Sequence, residues 1–323
     1  MRSLQLALFM VSMLMMAVLI RPDAAQAQLA DCSVSSGLLT FSGFDILSGE
    51  PVAGSTTVNV TCDFLATSSI TVCLGINAGT AGATGADRHL SNGLMKMTYR
   101  LYQDPARTIL WGSDSDPALG NALPVTMSAP FPRGTTTVPV TIYGLLNGSQ
   151  TEVPIGNYLS NLTITVQYPT VEAPLLSDCS MMGNYMPAAT QSNLNVLARL
   201  IKSCHVTTQD IDFGSHQALD TTIEATGKVN VTCTGATSYA IGLEMGEHTA
   251  TTRRMKNGSD YIIYGLYQDG AYQQPWGTLQ SGQAKFGVGN GLTQAHTVYG
   301  RVLPQKTPPV KTYTDSVAVT ITY

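Results

Sequence analysis

Hydrophobic and polar residues alternate with period two along much of the chain, in short runs. The clearest run is Leu162, Ile164, Val166 and Tyr168, with Thr163 and Thr165 between them. Val317, Val319, Ile321 and Tyr323 repeat it near the C-terminus. A strand of this kind turns one face to a core and the other to solvent. Further runs rich in Val, Ile, Thr and Tyr occupy residues 55–62, 69–74, 96–102, 135–143 and 159–168, with Gly, Pro, Asn and Ser clusters between them. Short strands punctuated by turn residues predict an all-β sandwich.

The runs belong to a repeat. Val58-Asn59-Val60-Thr61-Cys62 recurs as Val229-Asn230-Val231-Thr232-Cys233, and Leu101-Tyr102-Gln103-Asp104 as Leu266-Tyr267-Gln268-Asp269. Trp111-Gly112 recurs as Trp276-Gly277, and Tyr143-Gly144 as Tyr299-Gly300. The offsets are 171, 165, 165 and 156, always in the same order, which predicts two copies of one domain in tandem. The shrinking offset gives copy one 6 extra residues between the Cys62 and Leu101 motifs and 9 more between Trp111 and Tyr143. Such additions fall in loops, where a fold tolerates insertion and often carries function.

Residues 1–27 read differently. Arg2 is followed by an apolar run over 6–20 broken only by Ser12, and then by Ala25-Gln26-Ala27. This is the pattern of a secretory signal peptide with a small-residue cleavage site, too short for a membrane span. The expected divisions are therefore a leader at 1–27, an N-terminal domain at 28–203 and a C-terminal domain at 204–323. All six cysteines follow the leader and no C-x-x-C occurs, so an exported chain of this kind reads as disulfide-bonded. Cys32 and Cys62 are 30 residues apart, and Cys204 and Cys233 are 29 apart, making them equivalent pairs. Cys73 and Cys179 have no counterpart in copy two; by elimination they pair with each other, the alternative being two free thiols.

The two ends of the copies differ. Copy two stops at Tyr323, on its last strand, so that strand is expected to lack an outer neighbour, a liability in any sheet. In copy one, Leu194, Val196, Ala198 and Leu200 would share one face of an extended segment at 192–201 and supply the domain with its own final strand. A short linker helix is the competing reading, since Leu, Ala and Arg also favour helix. Four residues, 28–31, would precede Cys32 in the processed chain. A subunit with an acceptor edge and no donor segment is expected at one end of a polymer.

These motifs together resemble the spore coat protein U domain, a family that includes subunits of archaic chaperone–usher (Csu-type) pili. The resemblance rests on an early Cys, a V-x-V-x-C strand, R-x-M-x-N-G, L-Y-x-D, W-G, Y-G-R and a terminal V-T-I-T-Y. Copy two carries them as Cys204, Cys233, Arg253-Arg254-Met255-Lys256-Asn257-Gly258, Leu266-Tyr267-Gln268-Asp269, Trp276-Gly277, Tyr299-Gly300-Arg301 and Val319-Thr320-Ile321-Thr322-Tyr323. Copy one departs, with Arg88-His89-Leu90 in place of R-x-M and Leu145 in place of the Arg of Y-G-R. The resemblance implies tandem immunoglobulin-like sandwiches, the second an incomplete pilin domain lacking its last strand. Such a domain is finished by donor strand complementation, first by a periplasmic chaperone and then by the adjacent pilin subunit after passage through an outer-membrane usher. Two-domain members resemble tip adhesins, exported to the cell surface, that serve attachment and biofilm formation. The acceptor edge would be Val317, Val319, Ile321 and Tyr323.

If the 192–201 strand leads into the second domain, alternation of strand direction puts three loops of copy one at its far end, and each is apolar. Residues 63–69 hold Phe64 and Leu65; residues 113–134 hold Leu119, Leu123, Pro124, Val125, Met127 and Phe131; residues 169–191 hold Leu175, Leu176, Met181, Met182, Tyr185 and Met186. Exposed together they would form a patch for hydrophobic surfaces or a host ligand; folded back they would form a satellite core. A glycan-binding adhesin, a shaft subunit of the pilus and a spore-coat or matrix protein are the alternative functions.

Composition narrows the classes further. Charged residues are 12% of the chain and the net charge is −4, without the basic stripe of a nucleic-acid binder. The 5 histidines show no metal-ligand spacing, and no G-x-S-x-G elbow or phosphate loop is present, so neither an enzyme nor a cofactor is expected.

Overall fold

Alternation becomes strand almost wherever it occurs. The computed structural model describes residues 29–131, 133–248 and 251–323; the leader expected at 1–27 lies outside them. The first repeat contains β1 (Ala30–Val34), β2 (Gly37–Phe41), β3 (Val52–Phe64), β4 (Ser69–Ile76), β5 (Ala83–Thr84) and β6 (Asp87–Ser91). It continues with β7 (Lys96–Tyr102), β8 (Leu123–Ser128), β9 (Thr135–Leu146), β10 (Gly156–Tyr168) and β11 (Ala188–Leu200). The second contains β12 (Cys204–Gln209), β13 (Ile223–Cys233), β14 (Ser238–Leu243) and β15 (Arg253–Asn257). It ends with β16 (Asp260–Tyr267), β17 (Lys285–Val288), β18 (Thr293–Val302) and β19 (Val319–Thr322).

Each repeat is an immunoglobulin-like sandwich. In the first, one layer runs β1-β3-β9-β7-β6 and the other β8-β4-β10-β11-β2, the two joining where Leu159 of β10 meets Ser91 of β6. In the second, the layers are β12-β13-β18-β16-β15 and β17-β14-β19. The segment at 192–201 forms most of β11, antiparallel to β10 along its whole length and parallel to β2. Its inward side chains Leu194, Val196, Ala198 and Leu200 are buried among Val58, Ile142, Leu162 and Ile164. The region read as a loop at 113–134 instead contains β8, which pairs with β4 from Ser69↔Ser128 to Leu74↔Leu123. Pro124 is tolerated there because β8 is an edge strand and needs no donor on its outer side.

The repeated motifs are the polar bolts of the two sandwiches. Trp111 Nε1 donates to the Leu74 carbonyl at 2.9 Å, and Trp276 Nε1 to the Ile241 carbonyl at 2.9 Å. Asp104 accepts from the amides of Thr108 and Ile109, and Asp269 from those of Gln273 and Gln274, which closes the turn after L-Y-Q-D. Arg88 is fully buried and donates to the carbonyls of Asn77 (2.9 Å), Ile76 (2.8 Å) and Trp111 (2.8 Å). Arg253 makes the same three bonds to Glu244 (2.9 Å), Leu243 (2.8 Å) and Trp276 (2.8 Å). Arg88-His89-Leu90 is thus no departure in its arginine. Burial lowers the Arg88 pKa to about 10, which still leaves it protonated at neutral pH.

Three disulfides complete the framework. Cys32–Cys62 and Cys204–Cys233 each join directly opposed residues of a repeat's first strand pair, with Cα atoms 4.1 Å apart in both. Cys73–Cys179 ties the segment between β10 and β11 to β4.

Replacing Arg88 by Ala strands the buried carbonyls of Ile76 and Trp111 and the part-buried one of Asn77, and each buried orphan costs roughly 1–3 kcal/mol. R88A is therefore expected to lower the opening free energy of β4 and β10, read by hydrogen exchange, by about 3 kcal/mol or more, leaving β13 and β18 unchanged. R88K should not restore it, because an ammonium lacks the planar fork that reaches three carbonyls.

Candidate functional site

Comparison of the repeats locates an opening. In the first repeat β11 lies between β10 and β2, whose Leu39 and Phe41 are buried, with Phe41 edge-on to Tyr99 at 6.0 Å. In the second, Ile211 and Phe213 take the places of Leu39 and Phe41, and Phe213 meets Tyr264 edge-on at 6.1 Å. Gly300, like Gly144, has no room for a Cβ because that pair of side chains packs against it. β19 takes the place of β10, with Ile321 opposite Ile241 as Val166 is opposite Leu74. Between the two flanks there is no strand among the described residues. A groove of about 700 Å³ lies there instead, lined by Ile211, Phe213, Leu243, Met255, Leu266, Val317 and Val319, among others. Leu162, Ile164, Val166 and Tyr168 are buried beside β11, whereas Val317, Val319 and Ile321 are half-buried and Tyr323 is 50% exposed. The side chains are of one kind; only the cover differs.

The other candidate lies at the opposite end of the first repeat. Leu200 leads into β12, and the repeats touch where Ile155 N donates to the Gly235 carbonyl (3.0 Å) and Asp45 pairs with His205 (2.6 Å). The turns that follow Phe64, Ser128 and Tyr168 gather at the far end. Leu65, Phe131, Leu175, Met181 and Met186 are 53, 100, 56, 51 and 61% exposed. The remaining candidates are buried or only partly exposed. Phe64, Leu119, Met127 and Met182 are buried, because the first ends β3, the second sits in a 3-10 turn, the third faces inward from β8 and the fourth packs under the long loop. Leu123, Pro124 and Val125 are half-buried in β8, and Leu176 and Tyr185 are half-buried as well. The 169–187 segment folds back along β4, where Leu176 N donates to Thr71 Oγ1 (2.8 Å) and Cys73, Ala122, Cys179 and Met182 form a small satellite core.

The spore coat protein U domain model matches residues 19–165 and again 190–320, which is most of the chain and both repeats. The chain belongs to that family. Protein U of Myxococcus xanthus is 31% identical over 155 residues, spanning 42% of this chain and 86% of that protein. Among solved structures, the CsuC–CsuE chaperone–tip adhesion subunit pre-assembly complex from the archaic chaperone–usher Csu pili of Acinetobacter baumannii is similar in fold. The match has a TM-score of 0.56 at 17% identity and covers 91% of this chain and all of the matched chain. The fold is thus that of a chaperone–usher pilus subunit or adhesin.

A further motif of this spore coat U chain lies outside the strand periodicity. Tyr158 donates its hydroxyl to the Pro154 carbonyl, and Tyr313 to the Pro309 carbonyl, both at 2.7 Å. A Pro-x-x-x-Tyr spacing at offset 155 is the signal that could have found this corner, which aligns Ser160 with Asp315.

Met181 and Met182 are neighbours with opposite surroundings, and they separate surface from core. M182D buries a carboxylate against the Cys73–Cys179 bridge and should cost about 3 kcal/mol or more, freeing the 169–187 segment to proteases. M181D should change stability by less than about 0.5 kcal/mol. Thermal melting and limited proteolysis check both.

Proposed function

We propose that this spore coat U chain is the adhesive tip subunit of a chaperone–usher pilus. The observation that carries the reading is the asymmetry of the repeats. The first sandwich holds its own final strand, while the second has an open groove between its equivalents of β2 and β10. In this reading the edge at 316–323, with Val317, Val319, Ile321 and Tyr323, accepts a strand from a periplasmic chaperone during passage to the usher. The adjacent pilin subunit then donates the strand that remains. An extended segment entering the groove gains backbone hydrogen bonds along β19 and buries apolar side chains at about 25 cal/mol per Å². A sandwich that already holds its own final strand fits the outer end of a fibre, where nothing further needs to be joined.

The adhesive function is assigned to Leu65, Phe131 and Met186 at the far end of the first domain and to Leu175 and Met181 on the loop that folds back along β4. Flexible Met side chains adapt to varied surfaces, and attachment of this kind supports biofilm formation. The Cys73–Cys179 bridge reduces the ordering cost of the loop that carries two of the methionines.

Pili assembled with L65D, F131D and M181D together are expected to lose retention on polystyrene by at least about tenfold, since each large apolar side chain buried contributes about 1.5–3 kcal/mol. Their melting should be unchanged. Retention equal to wild type, or equal loss on a glycan array, would move the function away from these residues. Gold labelling of residues 28–203 on intact pili should mark fibre ends; label along the shaft means a shaft subunit.

A further inference from the structure

The open edge is held from below. The carboxylate of Asp315 takes three hydrogen bonds at once: Oδ1 accepts from the amides of Ser316 (3.0 Å) and Glu247 (3.0 Å), and Oδ2 from the Tyr264 hydroxyl (2.7 Å). Gly246 makes this possible, because at φ +92° it brings the backbone so close that a Cβ would lie 2.1 Å from Oδ2. With the turn fixed, Glu244 N reaches the Ala318 carbonyl (2.9 Å) and Glu247 N the Ser316 carbonyl (3.1 Å). Asp315 therefore ties three pieces together: the start of the acceptor edge, the turn at 244–247, and β16. The charge of Asp315 also acts on buried Arg253, and partly offsets the effect of burial on that guanidinium.

The equivalent residue in the first repeat is Ser160, fixed by the matching Tyr–Pro corners. It lies opposite Val196 of β11, beside Tyr99, and its hydroxyl accepts a bond from Ala81 N at 3.4 Å. Where the covering strand is part of the same sandwich, a serine is present. Where the edge stands uncovered, a carboxylate with three donors takes its place.

Resting on the reading of the groove as a strand acceptor, we infer that Asp315 is a positioning residue for strand capture. It holds 316–321 extended before the strand arrives, so that the incoming backbone meets a formed edge rather than ordering one. A site that is competent only part of the time binds more weakly by that fraction. A hydroxyl cannot substitute, since it does not accept from three donors in two directions as a carboxylate does.

The test uses the chain without residues 1–27 and, as probe, a synthetic peptide with the sequence of residues 188–201, the strand that covers the matching edge in the first repeat. Wild type should bind it. D315S should slow association by about tenfold, the effect of losing the hydrogen bonds to the 247 and 316 amides that hold the receptive state, with dissociation changed less than about twofold. D315N keeps an oxygen for the two amides and should recover most of the rate, which a general loss of folding would not allow. Hydrogen exchange on the uncomplexed wild type needs no variant: the amides of Glu247 and Ser316 should be protected before peptide is added. Equal association for wild type and D315S, or unprotected amides at 247 and 316, overturns the inference while leaving the acceptor groove intact. A peptide that fails to bind wild type at all overturns the acceptor reading, and the inference with it.

Discussion

A sandwich of this kind depends on what lies between its first strand segment and its penultimate strand. That position must satisfy backbone groups on the edge of a sheet and also cap the apolar gap between two layers. β11 does both in the first repeat, pairing with β10 over thirteen residues and with β2 on the other side. Its inward Leu194, Val196 and Leu200 are each worth about 1.5–3 kcal/mol of burial. The second repeat has equivalent flanks and inward side chains of the same kind without that cover, and its Val317, Val319 and Ile321 stay half in water. Nearly every functional statement about this molecule follows from that single difference.

An uncovered sandwich needs other means of keeping its shape, and the repeated polar residues supply them. Arg253 ties β14, the residue after it and the Trp276 turn through three carbonyls, and Trp276 donates back to β14. None of these bonds involves the absent strand. They are the same in the closed repeat, where Arg88 and Trp111 make them. The framework that frames the opening is thus independent of whether it is filled, and the disulfide at the start of each repeat adds a covalent tie at the opposite side of the core. The cost of burying a guanidinium is offset in part because its bonds run to carbonyls already aimed at it, although Nη1 of Arg88 is left without a partner among the described residues.

The apolar far end of the first repeat is built on a different principle. Its long loop is bound to the sheet by Cys73–Cys179 and by Leu176 on Thr71, so Met182 goes inward while Met181 and Met186 remain in solvent. The apolar surface is therefore presented on a braced segment rather than on a free one. Between the two ends, the β-bridge at Pro154 and Gly235 and the Asp45–His205 pair join the domains directly.

By itself the sequence determined the strand periodicity, the two-fold repeat, the two equivalent cysteine pairs and the family, because all of these are recorded in local or repeated spacing; Cys73–Cys179, 106 residues apart, was reached only by elimination. Period two survives in Leu162–Tyr168 and Val317–Tyr323 whatever covers them, and motif order survives insertion. The sequence also carried the strand character of 192–201 through its alternation, though Leu, Ala and Arg left a helix open until β10 and β2 were seen on either side. Only the tertiary structure decided which apolar residues of the far end are exposed. Phe64 and Leu65, or Met181 and Met182, are equivalent in composition and differ only in which layer lies behind them. The same holds for Arg88, whose role depends on three carbonyls distant in sequence, and for Asp315, whose donors come from residues 247, 264 and 316. Local patterns specify which groups need partners; the packing of the layers decides which partners they meet.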